Sequence, residues 1–300
     1  MKKLSSLLLA GALVFSLSGT ATAHDPPDFL GAVWAWPENA LPVLDGDLGE
    51  WDILPPEFFI TEVDVVQSDE RPWNYVGDLD PSSLSFRWAL AYNDETDRIY
   101  YVFEKYDDIH IGGETIEGVI DADHSGGTFW SIEGMTDEEA QRQKGRHAQT
   151  HHWAFDEGFS ENWTWFWMTQ GDWYRDPEWS QQAHRVDGTP GSNQEARTYA
   201  EWWQLYWDDY NWTSAEESIL HDFEADQIIG VSVQVHDGDA EFTDDCNCWG
   251  RWTIGPNVES FGDADFLADF LLLPIDETVD FEDTAVEEDS WGRIKASVSR

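Results

Sequence analysis

The stretch FRWALAYNDETDRIYYVFE, residues 86–104, carries the clearest structural signal in the sequence. Every second residue from Phe86 to Tyr92 is large and apolar, and the same period runs from Ile99 to Phe103. Successive side chains of a strand point to opposite faces, so this period is typical of half-buried strands. Between the two runs lies Asn-Asp-Glu-Thr-Asp, residues 93–97, a composition that favours a turn. The stretch therefore predicts an antiparallel hairpin.

Runs of the same kind recur later in the chain. Valine alternates with polar residues over Val231–Val235, and a denser apolar run at 266–272 predicts a last core strand. A helix is predicted from Thr136 to about Gln143, because a Thr followed three residues later by Glu is a capping pattern. Many short strands separated by turns predict one antiparallel β-sandwich over residues 24–275.

Composition and charge restrict the class of partner. Among 300 residues, 61 are acidic and 16 basic, which gives a formal net charge of -45, while 41% are hydrophobic and 19 are Trp. That apolar content is enough for a core. Phosphate backbones and anionic lipid headgroups repel such a chain, so nucleic-acid binding and charge-driven membrane binding are excluded. No apolar stretch reaches the ~20 residues of a membrane span.

The two ends of the sequence differ from its middle. Residues 1–23 resemble an export signal, with two Lys, an apolar core at 7–17 and a small-residue cleavage site at Ala21–Ala23. We therefore expect a mature chain from His24 that is exported to the periplasm or beyond the cell. Residues 276–300 are first acidic and then basic, which predicts a linker and a tail outside the core. This tail either docks on a partner or frays.

Five landmarks occur in a fixed order along the chain: LDGDLGEW at 44–51, a strand at 101–108, a hairpin at 117–127, IGVSVQVHD at 229–237 and a closing run at 266–270. Together they resemble the family 9 carbohydrate-binding-module-like (CBM9-like or DOMON-like) domains. The resemblance implies a β-sandwich of the jelly-roll or immunoglobulin-like kind. It also implies sugar binding, since the best-known members are sugar-binding modules, often attached to glycoside hydrolases. Relatives of the same fold hold haem in exported redox enzymes.

The chain departs from the family pattern in two places. Sugar-binding members grip the ring between two Trp, and the first would fall at residues 110–113, which contain no aromatic residue here. The nearest candidates for the second are Trp249, Trp252 and Phe261. The segment from about 131 to 191 is longer than the simple module needs, so we predict an insertion there.

This insertion is rich in Trp. Residues at i, i+2 and i+4 of a strand share one face about 6–7 Å apart, and Trp163, Trp165 and Trp167 have this spacing. Indole faces stack on the apolar C–H faces of sugar rings, while polar side chains bind the rim hydroxyls. The alternative is that the indoles form the core face of a strand. The predicted ligand-binding residues are Trp163, Trp165, Trp167, Trp173, Arg175, Trp179, Trp249 and Trp252.

Acidic loops form a second group of candidates. Asp121 and Asp123 stand at alternate positions before Ser125, an arrangement of hard oxygen ligands that calcium prefers. The remaining EF-hand ligands are missing, so the loop is not an EF-hand. We predict one structural calcium, with Asp107, Asp108, Asp121 and Asp123 as candidate ligands and ordinary turns as the alternative. No organic cofactor is expected.

Catalytic signals are weak. No catalytic pair stands out among 61 acidic residues, and the sequence lacks a nucleophile elbow, a zinc-protease helix and a phosphate loop. His147 and His151 are a minor candidate for a zinc pair. Cys246 and Cys248 form a small disulfide, remain free thiols or bind a soft metal.

The leading functional hypothesis is an exported, non-catalytic protein that recognises an extracellular polysaccharide and supports carbohydrate catabolism. One alternative is a haem-holding redox subunit on the same fold, with Met168 and a His as axial ligands. The other is a surface protein whose sandwich binds only other proteins.

Overall fold

The predicted alternation produces strands in most of the chain. The computed structural model describes residues 26, 29–67, 79–111, 115–129, 133–143, 145–154, 164–165, 172–189, 193–239, 249–255, 262–279 and 281. Its strands are β1 (Leu30–Ala35), β2 (Ile60–Thr61), β3 (Val66–Gln67), β4 (Leu84–Asn93), β5 (Arg98–His110), β6 (Thr115–Asp121), β7 (Gln149–Ala154), β8 (Thr164–Trp165), β9 (Ser180–Gly188), β10 (Gln194–Gln204), β11 (Trp207–Asp209), β12 (Ile219–Leu220), β13 (Ile228–Gly238), β14 (Trp249–Thr253) and β15 (Ala268–Leu272).

The strands build an all-β sandwich, as the sequence predicts. Sheet I runs β8-β7-β6-β13-β15, with β14 also paired to β13 and β3 to β14. Sheet II runs β4-β5-β10-β9, with β2 on β4. The small pair β11-β12 stands apart. Neighbouring strands pair antiparallel except at β1.

Strand β1 joins the two sheets. Its first part, from Leu30 to Val33, pairs in parallel with β15 of sheet I. Its last two residues, Trp34 and Ala35, pair in parallel with β4 of sheet II. The sandwich is therefore linked along this side. On the opposite side lie the edge strands β8 and β9, one at the end of each sheet.

The hairpin predicted from residues 86–104 is confirmed as β4 and β5, which pair Tyr92 with Ile99. The Asn93 side chain fixes the turn by accepting hydrogen bonds from the Thr96 amide at 3.0 Å and from its hydroxyl at 2.6 Å. Every second residue from Leu84 to Tyr92 and from Ile99 to Phe103 faces the space between the sheets, where these side chains pack with the valines of β13. The alternation thus identified the buried face correctly.

A second hydrophobic layer covers the outer face of sheet II. Trp203 and Val102 project from this face and pack with Trp36 and Trp51 from the N-terminal segment. Glu201 of β10 holds that segment down, because its carboxylate accepts hydrogen bonds from the Asp45 and Gly46 amides at 2.7 and 2.9 Å and from the Trp51 indole at 3.2 Å. The LDGDLGEW motif is therefore a turn anchored on the sheet.

The segment predicted as an insertion is part of the sandwich. It supplies β7 to sheet I and the edge strand β9 to sheet II. It also contains helix α1 (Asp137–Gln143), and the predicted cap is present, since the Glu139 amide donates to the Thr136 hydroxyl at 3.2 Å.

The packed part of the chain extends beyond the predicted boundary at residue 275. Phe281 is buried, with its ring centroid 5.6 Å from that of Trp36 and 6.4 Å from that of Trp34. The predicted docking tail lies outside the described residues from 282 onward, and so does the predicted export signal at 1–23. In the part of the chain that the structure describes, no helix is long and apolar enough to cross a membrane.

Candidate functional site

Two half-buried indoles, those of Trp173 and Trp179, come together at one end of sheet II, and the Trp212 backbone lies against Trp173. Trp173 lies in a short 3-10 helix, Trp179 lies directly before β9, and Trp212 follows β11. The ring centroids of Trp173 and Trp179 are 5.7 Å apart with planes at 82°. The Trp173 indole donates a hydrogen bond to the Trp212 carbonyl at 3.2 Å. We call Trp173, Trp179 and Trp212 the indole surface.

A buried aromatic layer supports this surface. Trp173 stacks on Tyr210 with centroids 5.1 Å apart and meets Trp207 edge-on at 5.2 Å. Trp179 lies 6.0 Å from the same Trp207. Such aromatic pairs add about 0.5–1.5 kcal/mol each beyond burial, so the exposed parts of the indoles are held in place. A ligand here meets rings that are already ordered.

Polar groups border the indole surface. Asp176, Glu178 and Gln181 are all exposed. Asp176 accepts a hydrogen bond from the Glu178 amide at 3.2 Å, and the Gln181 side chain donates to the Pro177 carbonyl at 3.0 Å. This local bonding fixes the turn before β9 and leaves carboxylate and amide groups facing water beside the indoles. The arrangement suits a ligand with an apolar face and a hydroxylated rim.

The outer face of sheet I carries a buried polar network instead. Glu117 of β6 lies 3.2 Å from His152 Nδ1 of β7 and 3.4 Å from His236 Nε2 of β13. All three side chains are less than one-tenth exposed. Gln234 and Arg251 lie next to them on β13 and β14. We call Glu117, His152 and His236 the outer network.

The protonation states of the outer network follow from its burial. Burial opposes ionisation of Glu117, but the neighbouring His152, His236 and Arg251 hold its pKa well below the usual range. Burial lowers the pKa of His152 to about 4, although the Glu117 carboxylate acts in the opposite direction. Burial also lowers the pKa of His236. A buried carboxyl group between two buried imidazoles therefore joins three strands of sheet I.

The protein's own donors engage the first pair of predicted calcium ligands. Asp107 pairs with Lys105 Nζ at 2.7 Å and accepts a hydrogen bond from the Ile109 amide at 2.9 Å. Asp108 accepts a hydrogen bond from the Ser83 hydroxyl at 2.7 Å. These contacts account for the positions of both carboxylates by strand and turn structure.

The second predicted pair lies in the loop after β6. Asp121 accepts hydrogen bonds from the Ser125 amide at 3.2 Å and the Gly126 amide at 2.8 Å, and Asp123 accepts one from Ser125 at 3.2 Å. Burial, together with the adjacent Asp123, raises the pKa of Asp121 to about 8. Among the residues that the structure describes, no three His, Cys, Asp or Glu side chains are arranged to hold a metal ion. Calcium binding stays a prediction.

Five of the other predicted ligand-binding residues lie wholly, or with their side chains, outside the described residues. Trp165 begins the pairing of β8 with β7 opposite His152, and Trp249 pairs with Gly238 at the start of β14. The side chains of Trp165, Trp249 and Arg175 lie outside the described residues, and so do Trp163 and Trp167. The same is true of Met168, Cys246 and Cys248.

Two predicted roles are not supported where the side chains are described. Trp252 is only 3% exposed and packs between the sheets, so its ring offers no face for stacking on a sugar. The reason is its pairing with Val235, which places it on the inner side of sheet I. His151 is fully buried and lies 3.1 Å from the Tyr174 hydroxyl, while His147 precedes β7. His151 is therefore part of the aromatic core.

Sequence reasoning missed Trp212 and the outer network. Trp212 comes from a segment outside the predicted insertion, and only the fold brings it to Trp173. The members of the outer network lie on three strands, and the strand order β7-β6-β13 is needed to make them neighbours. The single available signal was the pair of polar positions, Gln234 and His236, within a valine-rich run.

Comparison with known proteins gives one structural likeness. The structure is similar to a carbohydrate binding module family 9 (CBM9) from Caldicellulosiruptor kristjanssonii, solved in complex with cellotriose, with a TM-score of 0.46 and 11% sequence identity over 83% of this chain and 96% of that chain. The likeness is one of chain path and does not place this protein in that family. No family model matches the sequence, and no curated protein matches it.

Proposed function

We propose that this protein binds a polysaccharide without catalysis, through the indole surface formed by Trp173, Trp179 and Trp212. The observation that carries the proposal is that these side chains keep part of their surface open to solvent, while Trp173 and Trp179 rest on a buried aromatic layer. Clustered aromatic side chains that stay partly open to water mark binding sites. Sugar rings match them, because their C–H faces are apolar and their rims are hydroxylated.

The polar border supports the same ligand class. Asp176, Glu178 and Gln181 are exposed beside the indoles and can accept or donate hydrogen bonds to hydroxyl groups. Export of the chain and a role in carbohydrate catabolism are part of the proposal, and they rest on the signal-like pattern at residues 1–23.

The test is affinity electrophoresis of the mature protein through gels that contain soluble glycans. We expect at least one glycan to retard the wild-type protein and Trp179→Ala to lose most of the retardation. Stacking on one aromatic ring is worth about 1–3 kcal/mol for a flat ligand, so a loss of roughly tenfold or more in affinity is expected.

The matched control is Tyr106→Ala. Tyr106 is also a half-buried aromatic residue on sheet II, beneath the Arg197 guanidinium at 4.7 Å. It lies opposite Arg197, about 25 Å along β10 from the indole surface. This variant should bind glycan like the wild-type protein. Equal retardation of both variants and the wild-type protein, or no retardation on any glycan, contradicts the proposal.

Two further measurements test the remaining hypotheses. Repeating the electrophoresis with a chelator tests the predicted calcium, since a bound ion would raise both glycan affinity and melting temperature. An absorption spectrum of the purified protein tests the haem alternative, which predicts a Soret band. Binding of calcium with no effect of Asp121→Asn or Asp107→Asn would contradict the predicted ligands.

A further inference from the structure

An apolar patch lies on the outer face of sheet I, where β1, β15 and β13 run side by side. Ala32 pairs with Leu271 and Leu271 with Ile228, so these three side chains form one row across the strands. Phe270, the neighbour of Leu271 on β15, packs between the sheets, so the row itself points outward. Leu30 shares this face, two residues before Ala32. We call Leu30, Ala32, Leu271 and Ile228 the apolar patch.

The apolar patch is open to solvent. Leu30 is 58% exposed and Ile228 is 39% exposed, while Ala32 and Leu271 are partly exposed. A single exposed apolar side chain is ordinary on a protein surface. Here, however, the side chains stand on adjacent strands about 4.8 Å apart and form a continuous apolar area. Areas of this kind mark interaction sites, so an occupant is expected here.

Acidic groups surround the apolar patch. Asp269 of β15 lies in the next row, in contact with His124 Nε2 at 3.0 Å. Exposed Glu224 and Asp226 lie in the turn before β13, and exposed Asp276 follows β15. Strands β1, β13 and β15 contain no Lys or Arg, and the formal net charge of -45 would repel a second copy of the chain. The occupant that fits is therefore apolar, with basic side chains beside the apolar ones.

Residues 291–295 of the same chain have this composition. Their sequence is Trp-Gly-Arg-Ile-Lys, with two large apolar and two basic side chains. Arg293 is the first Lys or Arg after Arg251, so positive charge returns here after a long acidic stretch. The segment lies outside the described residues. Its apolar side chains match the patch, and its charge is opposite to that of the acidic groups around the patch.

The last described residue, Phe281, lies close to the apolar patch. Its ring centroid is 6.4 Å from that of Trp34. Trp34 and Ala32 are alternate residues of β1, so they share its outward face about 7 Å apart. Nine residues, 282–290, separate Phe281 from Trp291, and an extended chain of that length spans about 30 Å. The segment can therefore reach the patch, and so short a tether gives it an effective concentration on the order of 1 mM.

We propose that Trp291–Lys295 docks on the apolar patch of the same molecule, with Trp291 and Ile294 against the patch and both basic side chains toward the acidic groups around it. The patch is thus an interaction surface for an apolar, basic peptide segment. It is independent of the proposed function, since the indole surface lies on sheet II and the patch on sheet I. Docking covers apolar area that would otherwise face water, and it holds the segment beside β1 and β15.

Trypsin tests the docking, because it cleaves after Arg and Lys and needs a segment that is free of contacts. Intact-mass spectrometry of the purified full chain follows cleavage after Arg293 and Lys295, and a synthetic peptide of residues 284–300 gives the rate for the free segment. We expect cleavage in the protein to be about tenfold slower than in the peptide, because proteolysis follows the undocked fraction. Leu30→Ser and Ile228→Ser should each raise the rate about fivefold, because each removes apolar contact from the patch.

The matched control is Val66→Ser. Val66 is also an exposed strand residue of sheet I, at 44%, and it lies on β3 beside β14. That pairing places it at the level of Val235, seven residues or about 23 Å along β13 from Ile228. This variant should be cleaved like the wild-type protein. Melting temperatures of all three variants should stay within a few degrees of the wild-type value, because exposed side chains contribute little to stability.

The outcomes distinguish the occupants. Equal cleavage of the protein and the peptide, or no effect of either patch variant, overturns the docking. Protection that increases with protein concentration shows that a second copy supplies the segment, and it overturns docking within one molecule. Equal acceleration by Val66→Ser and the patch variants shows general loosening of the fold and also overturns the proposal. If one patch variant fails to fold, the other provides the same readout.

Discussion

The outer faces of the two sheets are both buried, one by apolar and the other by polar side chains. On sheet II, large rings such as Trp51 and Trp203 bury the outer face beneath the N-terminal segment. On sheet I, the corresponding positions hold Glu117, His152 and His236, which are equally buried but polar. The difference teaches that burial alone does not identify a hydrophobic layer in this protein. One face is stabilised by area removed from water, and the other by hydrogen bonds made in a dry setting.

The largest effect is expected from breaking the sheet II layer. Trp51 is 1% exposed, meets Trp36 at 5.7 Å and bonds to Glu201. Trp51→Ala should lower the free energy of unfolding by about 3–5 kcal/mol, as truncation of a buried Trp does. Urea denaturation measures it, with Leu220→Ala as control, because Leu220 is 39% exposed. A change in Trp51→Ala no larger than in the control would mean that the layer contributes little.

An intermediate effect is expected from the sheet I network. Glu117→Gln keeps the shape of the side chain but removes the charge that faces His152, His236 and Arg251. We expect a loss of about 1–3 kcal/mol in the free energy of unfolding, the cost of leaving buried partners poorly matched. Urea denaturation at pH 7 again provides the measurement. An unchanged or increased stability would show that the ionised carboxylate is not favoured there.

The smallest expected effect is a difference between the two faces in how stability depends on pH. Burial lowers the pKa of His152 from 6.5 to about 4, so the unfolded state binds a proton at this side chain at a higher pH than the folded state does. The free energy of unfolding therefore decreases as pH falls from 6.5 toward 4. In the segment that covers sheet II, burial and the adjacent Glu201 raise the pKa of Glu50 to about 8. The free energy of unfolding that this group contributes is therefore lost as pH rises from 4.5 to 8. The melting temperature of His152→Gln should therefore rise relative to that of the wild-type protein at low pH. That of Glu50→Gln should rise relative to the wild-type protein at high pH.

Melting curves from pH 4.5 to 8.5 test this pair of variants. The shifts relative to wild type are expected to be a few degrees at most, because both groups are only part of the titrating set. Curves with the same slope for the two variants would remove the distinction between the faces.

The sequence was sufficient for the elements but not for their outer surfaces. Period-two alternation predicted the hairpin of β4 and β5 and the inner face of β13, because one buried face imposes that period directly. Alternation says nothing about what covers the other face, so the role of Trp51 could not be derived. Glu117 and His236 become neighbours only through the pairing of β6 with β13, and that register depends on the whole fold. Trp173 and Trp179 were predicted because they cluster in the sequence, whereas Trp212 does not.

The crossing strand β1 has a consequence for how the molecule assembles. Among the residues that the structure describes, β1 is the first strand, and the last one, β15, is its partner in sheet I. A growing chain cannot close that seam until nearly all residues have been made, and contacts so distant along the sequence form slowly. Disruption of either β1 or β15 removes the same seam. Strands β1 and β15 therefore depend on each other, and this side of the sandwich closes only after residue 272 has been made.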